Sequence, residues 1–129
     1  MLEASKNTFS EMEETIAQQA LQKAYERETS ALIANVRNRA NSITKLEDLW
    51  YLHDLLSTKR YEIDGKYVCD FSTIIFDFAG LVKEKWLYLD DLQGLKPEIL
   101  SKISALARIP ILELINHGYT TLAITRPAS

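Results

Sequence analysis

Residues 9–43 read FSEMEETIAQQALQKAYERETSALIANVRNRANSI, with no glycine and no proline. In the whole chain the first glycine is Gly65 and the first proline is Pro97. So long a run without a backbone breaker favours long helices over a strand-and-turn pattern. Thr8 and Ser10 are each followed three residues later by a glutamate, Glu11 and Glu13, which is the capping-box spacing. Glu11, Glu13 and Glu14 suit the positive end of a helix dipole, and Arg37 and Arg39 suit the negative end. The apolar residues Leu21, Tyr25, Leu32, Val36 and Ile43 recur at steps of 4, 7, 4 and 7. That 11-residue period keeps them on one face of a nearly straight helix. Asn41, Ser42 and Thr44 mark its end.

A helix over residues 9–43 would be about 50 Å long at the standard rise. A compact sphere of this chain length is only about 35–40 Å across. The helix should therefore overhang its own body, and the stripe of Leu32, Val36 and Ile43 needs another surface. An elongated homodimer is the simplest supplier. The competing geometry is a kinked helix folded back on its own monomer.

Working outward, a second helix is expected to open at Thr44, with Glu47 completing a capping box, and to end at Gly65 as a C′ glycine. Leu46, Leu49, Leu52, Leu56 and Ile63 would be its core stripe. Residues 71–76, FSTIIF, are rich in β-formers. Phe71, Ile74, Ile75, Phe78 and Val82 nevertheless recur at helical steps, so a third helix from about Asp70 or Ser72 is expected. Leu87–Gly94 reads as a short connecting helix capped by Asp90 or Asp91. Pro97 fits the first position of a further helix with Ile99, Ile103 and Leu106 inward, stopped by Pro110. The fold class is all-α: one long N-terminal helix plus several shorter ones. Residues 1–109 are expected to form a single helical domain, and residues 110–129 a C-terminal extension.

Composition narrows the function classes. The 129 residues carry 15 basic and 18 acidic side chains, a formal charge of −3. That balance lacks the footprint of a nucleic-acid binder. Cys69 is the single cysteine, and His53 and His117 are the two histidines. No internal disulfide and no paired-cysteine zinc site can be built, and only two imidazoles could add ligands, so a metal enzyme is not expected. The thiol is read as structural or incidental. No apolar run approaches a membrane span, and the N-terminus does not read as a signal peptide. The expected setting is cytoplasmic.

Phosphate loops, nucleophile elbows and His-Glu-x-x-His are all missing, so no catalytic residue is assigned. Trp50, His53, Asp54 and Arg60 share an arc of about 120° beside the leucine stripe of the second helix. They could line the edge of a groove or interface, since Trp and Arg dominate interface hot spots. The plain alternative is a Trp at the core edge with solvated neighbours. An acid–base site at His53 and Asp54 is disfavoured, because adjacent helical residues point about 100° apart. Phe76 lies off the apolar stripe of its helix, so it is either covered by another element or offered to a partner.

The run from Asp48-Leu49-Trp50 to Tyr67 contains Trp50-Tyr51-Leu52-His53-Asp54, Lys59-Arg60 and Glu62-Ile63-Asp64-Gly65-Lys66-Tyr67. In this run the sequence resembles the cyanobacterial fluorescence recovery protein family. Lys23-Ala24-Tyr25, Arg27-Glu28, Ile74-Ile75-Phe76, Lys102-Ile103 and Ala105-Leu106-Ala107-Arg108 extend the likeness over roughly residues 20–109. The resemblance implies an all-helical homodimer that is not an enzyme. It would bind the photoactivated, red form of the orange carotenoid protein at its C-terminal domain. It would speed return to the orange form and help detach it from the phycobilisome. By the same resemblance, Trp50, His53, Asp54 and Arg60 form the key cluster for dimer and activity, and Phe76 and Lys102 contact the partner. The alternative is a helical regulator or chaperone-like adaptor of another protein.

Overall fold

The computed structural model describes residues 9–109. The expectations for Pro110, His117 and the extension lie outside them. Among the described residues there are four α-helices and no strand. They are α1 (Glu11–Asn41), α2 (Leu46–Asp64), α3 (Ile74–Lys83) and α4 (Pro97–Ala107), with a 3-10 turn at Leu89–Leu92. The long N-terminal helix is present, and its 31 residues span about 46 Å.

Local chemistry explains most of the boundaries. Ser10 Oγ accepts from the Glu13 amide at 3.1 Å, and Glu13 Oε1 accepts from the Ser10 amide at 3.0 Å. This is the expected capping box. At α2 the expected Thr44–Glu47 box is replaced. Asp48 Oδ2 accepts from the Thr44 and Lys45 amides and from the Thr44 hydroxyl. The helix is capped at Lys45, one residue later than expected, so the N3 position falls on Asp48 rather than Glu47. Gly65 does close α2, but with φ −107° it is not the left-handed C′ glycine expected. Pro97 opens α4 at N1, as its spacing implied. The connecting helix proves shorter than expected, a single 3-10 turn over which Asp91 accepts from the Tyr88 amide at 2.9 Å.

The end of α3 uses a different device. The Trp86 amide donates to the Leu81 carbonyl and the Lys85 amide to the Val82 carbonyl, both at 3.0 Å. This is a Schellman turn, and its left-handed position is held by Lys85 at φ 72° rather than by a glycine. The chain then doubles back along α1. Gly94, at φ +107°, is needed there, because a Cβ would come within 2.5 Å of Ile16 Cδ1.

The core is built from the first half of α1 and from residues 74–103. Ile74, Phe78, Leu87, Leu92 and Ile103 are the largest fully buried side chains. The buried face of α1 is Glu13, Ala17, Ala20, Leu21, Ala24 and Glu28. Small alanines at helical steps let the return segment approach α1 closely. The stripe inferred from larger residues is therefore corrected. Of its members only Leu21 is buried, Tyr25 is exposed, and Leu32, Val36 and Ile43 are half-buried. Three helices of this body run the same way. Phe71, just before α3, packs on Phe9 at 5.2 Å between ring centroids. Glu84, just after α3, shares Lys66 with Glu28. Lys96, before α4, binds Glu13, and the end of α4 meets Lys83.

Beyond Glu28 the character changes. The rest of α1 and all of α2 form a helical hairpin in which no residue is buried. The expected inward stripe of α2 is a second correction. Leu46, Leu49 and Leu56 are exposed, and Leu52 and Ile63 are half-buried. The reason is that α1 is the principal neighbour of α2. One helix can cover only a narrow seam of another.

Candidate functional site

The half-buried residues of α2 include Leu52, Leu55, Lys59, Glu62 and Ile63. At 100° per residue they share one side of the helix, which sets that side against α1. Trp50, His53, Asp54 and Arg60 lie on the opposite side, and all four are exposed. Leu46, Leu49 and Tyr61 fall on the same outward face and are exposed as well. The alternative of a Trp at the core edge is excluded, since Trp50 is 56% accessible. The hairpin thus presents an apolar and charged face directly to solvent. A surface of this kind is a candidate interaction site.

Within this face the contacts are local. The Trp50 and His53 rings meet edge-to-face at 6.4 Å between centroids. His53 Nδ1 and Asp54 Oδ1 approach to 3.3 Å. The expectation that these neighbours could not pair is corrected, because rotation about χ1 and χ2 closes the 100° between their Cβ directions. Arg60 turns away from this pair toward Asp64, with Nε 3.7 Å from Oδ2. All these charges are solvated, so their ion pairs hold little energy and leave the side chains available. No described ion pair or hydrogen bond joins His53 and Asp54 to a third ionisable group.

Phe76 and Lys102 belong to the body, on α3 and α4, and both are exposed. Phe76 sits on α3 opposite the buried Ile74, Ile75 and Phe78. The structure does not gather either residue into the hairpin cluster, so the residues singled out fall on α2 of the hairpin and on α3 and α4 of the body.

Sequence reasoning missed the joint between hairpin and body. Glu28 is 4% accessible, yet it is an ionisable group. Its Oε1 accepts from Lys66 Nζ at 2.8 Å and from the Tyr67 hydroxyl at 2.6 Å. Lys66 Nζ also donates to Glu84 Oε1 at 2.7 Å. One ammonium thus ties α1, the end of α2 and the end of α3 together. The partners are 38 and 18 residues apart, so no local spacing could reveal them. Nearby, Arg27 grips Asp91 through two hydrogen bonds of 2.7 and 3.2 Å and donates to the Trp86 carbonyl. That guanidinium holds the Asp91 carboxyl below its usual range, against the opposing effect of burial.

A shallow recess of about 290 Å³ lies beside this joint, lined by Gln18, Leu21, Gln22, Tyr25, Tyr67 and Cys69. Burial pushes the Cys69 thiol up, with the carboxylates of Glu14, Asp70 and Asp77 adding to the effect. A thiol so placed is a poor nucleophile at neutral pH. Among the described residues no group of three or more His, Cys, Asp or Glu side chains could hold a metal ion. No described helix is long and apolar enough to cross a membrane.

Comparison with known proteins gives one consistent result. Residues 9–107 match the family described as the photoprotection regulator fluorescence recovery protein. The fluorescence recovery protein of Synechocystis sp. is 46% identical over 109 residues, covering 84% of this chain and all of that protein. Among solved structures, the Fremyella diplosiphon fluorescence recovery protein superposes with a TM-score of 0.76 at 52% identity. It covers 79% of this chain and all of its own. The Synechocystis sp. PCC 6803 structure gives 0.75 at 48%, covering 78% of this chain and 99% of its own.

Proposed function

The chain belongs to the fluorescence recovery protein family, and from that premise we propose how this member regulates photoprotection. It binds the photoactivated, red form of the orange carotenoid protein at that protein's C-terminal domain. It accelerates return to the orange form, and so helps to release the carotenoid protein from the phycobilisome. The observation that carries this reading is the outward face of α2, where Trp50, His53, Asp54 and Arg60 stand exposed on a helix with no buried residue.

The acting unit on this reading is a homodimer in which Leu32, Val36 and Ile43 of the overhanging α1 contribute to the seam. Support comes from the hairpin itself, which leaves Ile33, Leu46, Leu49, Trp50 and Tyr61 in water in a single chain. Phe76 and Lys102 supply a second contact to the carotenoid protein. Residues 1–109 form the helical domain, and residues 110–129 an extension beyond it. The protein acts without a cofactor and without catalysis of its own, in the cytoplasm, peripheral to the thylakoid face.

The energetics set two requirements. To accelerate reversion, the protein must stabilise the barrier between red and orange forms more than it stabilises the red complex. To shift the equilibrium, it must bind one conformation better than the other. Repeated action further requires release from the orange form.

The test is dark reversion of the photoactivated carotenoid protein, followed by visible absorbance with and without this protein. Faster red-to-orange recovery is expected. Arg60→Leu should lose most of the acceleration while its stability changes by less than about 0.5 kcal/mol, since the Arg60–Asp64 pair is solvated. No acceleration by the wild-type protein would sink the reading. Full acceleration by the Arg60 variant would make that residue a bystander.

A further inference from the structure

The tip of the hairpin holds more positive charge than its own carboxylates engage. Residues 33–51 carry Arg37, Arg39 and Lys45 against Glu47 and Asp48. Lys45 pairs with Glu47 at 3.5 Å, and Asp48 accepts from Thr44 and the Lys45 amide at the start of α2. Among the described residues neither arginine enters an ion pair.

A basic residue in the last turn of a helix ordinarily complements the dipole by lying toward the final carbonyls. Arg39 is in the last turn of α1, yet its side chain is tethered the other way. Its Nε donates to Asn35 Oδ1, one turn back, at 2.8 Å. Its guanidinium carbon stands 5.5 Å from the centre of the Tyr51 ring, across the hairpin on α2. Contacts from two helices thus hold the guanidinium, and the helix dipole does not account for them. An arginine has five N–H donors. Nε uses one of them, and no described hydrogen bond uses those on Nη1 and Nη2. Tyr51 is 62% accessible, so the group sits at the surface. Glu47 and Asp54 lie one turn to either side of Tyr51 on α2, and they are directed to Lys45 and His53.

A held guanidinium with an open Nη fork suits a carboxylate, which it can meet with two parallel hydrogen bonds. Because the side chain is already ordered, less rotamer freedom is lost on binding. We propose that Arg39 is a receptor for an acidic side chain, Asp or Glu, of a protein segment that docks on the hairpin tip. Asn35 and Tyr51 are its positioning residues. The assignment goes beyond the carotenoid-protein reading and does not rest on it. Arg37 is exposed and has the same charge without the tether, which makes it the internal control.

The experiment titrates the full-length, nitrogen-labelled chain with an acetylated tetraglutamate amide at constant ionic strength. It follows the Nε–H signals of Arg37 and Arg39 and the Tyr51 amide. The Arg39 and Tyr51 signals should shift saturably, Arg37 should shift much less, and a tetraglutamine peptide should move none of them. Arg39→Lys keeps the charge and removes the fork, and read at the Tyr51 amide it should bind the acidic peptide several-fold more weakly. Tyr51→Leu, read at Arg39 Nε–H, should weaken it in the same direction, with helix content unchanged in both variants. No saturable shift overturns the proposal, as do equal shifts at Arg37 and Arg39 or an unweakened Arg39→Lys chain. An Arg39 signal that moves when the protein alone is diluted also overturns it, since a carboxylate of a second copy would then be the occupant.

Discussion

Two regions of one chain solve the burial problem differently. The body, made of residues 9–28 and 66–109, encloses its own core around Ile74, Phe78, Leu92 and Ile103. The hairpin, residues 29–64, encloses nothing and still carries as many large apolar side chains as a core would want. The body is therefore stable by its own contacts, whereas the hairpin gains stability chiefly through what it packs against. Regions with few buried apolar contacts open at lower free energy, and binding surfaces are drawn from that class. The two tryptophans report on the two regions separately, Trp86 half-buried in the body and Trp50 exposed on the hairpin.

The largest expected contrast comes from truncating equivalent bulk in the two regions. Phe78→Ala removes a fully buried ring and should cost about 3–5 kcal/mol. Leu49→Ala, on the exposed face of α2, should change the stability of the isolated chain by less than about 0.5 kcal/mol. Denaturant titration of single-tryptophan variants reads both. Equal losses would mean that the hairpin shares the body's core, and the division would fail.

The joint is the next place to press. Lys66→Met leaves the buried Glu28 carboxylate facing Glu84 with no cation between them. Removing one partner of a buried pair costs about 3 kcal/mol. The loss should appear first as faster amide exchange across α2, before exchange in α3 rises. Uniformly faster exchange would show the hairpin and body to be one cooperative unit.

How much of this was legible in the sequence depends on the range of the interaction. Ser10–Glu13, Pro97 and the helical steps of α3 are written within a few residues of one another, and each reads correctly. The outward face of α2 was half legible. The spacing set Trp50, His53, Asp54 and Arg60 together, but it also assigned Leu46 and Leu49 to a core that the fold never brings to them. Periodicity shows which residues share a face and not whether anything covers it. The alanine face of α1 was overlooked because alanines carry little hydropathy, although their small size is what admits the return segment. Glu28–Lys66–Glu84 and Arg27–Asp91 join residues far apart in the chain, so only the folded arrangement reveals them. The family likeness is what proposes a shared role for the α2 residues that local patterns could only group.

Acid should act on both regions, through different carboxyls. Glu13 is held below its usual range by hydrogen bonds from Lys96 and the Ser10 amide, and Asp91 by Arg27. A carboxyl lowered in the folded state contributes stability above its unfolded pKa of about 4, and that contribution is lost as pH falls further. Asp77 has the opposite sign, since burial raises it and protonation relieves the cost. Asp48 at the start of α2 is lowered too, by the Thr44 and Lys45 amides, so acid weakens that cap as well. Glu13 and Asp91 join distant parts of the body, so the body should lose stability below about pH 4. Asp91→Asn should cost about 1.5–2 kcal/mol at neutral pH and flatten that acid limb. An acid limb of unchanged steepness in the variant would remove Asp91 from the account.

The smallest effect runs the other way. Lys85 holds the left-handed position of the Schellman turn after α3, at φ 72°. A side chain there costs about 1 kcal/mol relative to glycine. Its backbone amide still bonds the Val82 carbonyl, which glycine would preserve. Lys85→Gly should therefore stabilise the body by about 0.5–1 kcal/mol, since strain relief is offset in part by the greater freedom of glycine in the unfolded chain. The substitution touches neither α2 nor the Lys66 joint. If the two regions open independently, Trp86 should report a later unfolding midpoint while Trp50 reports the same one. A matching shift at Trp50 would mean that the joint transmits the body's stability through the whole hairpin. The exposed face of α2 would then be held as rigidly as the core that carries it.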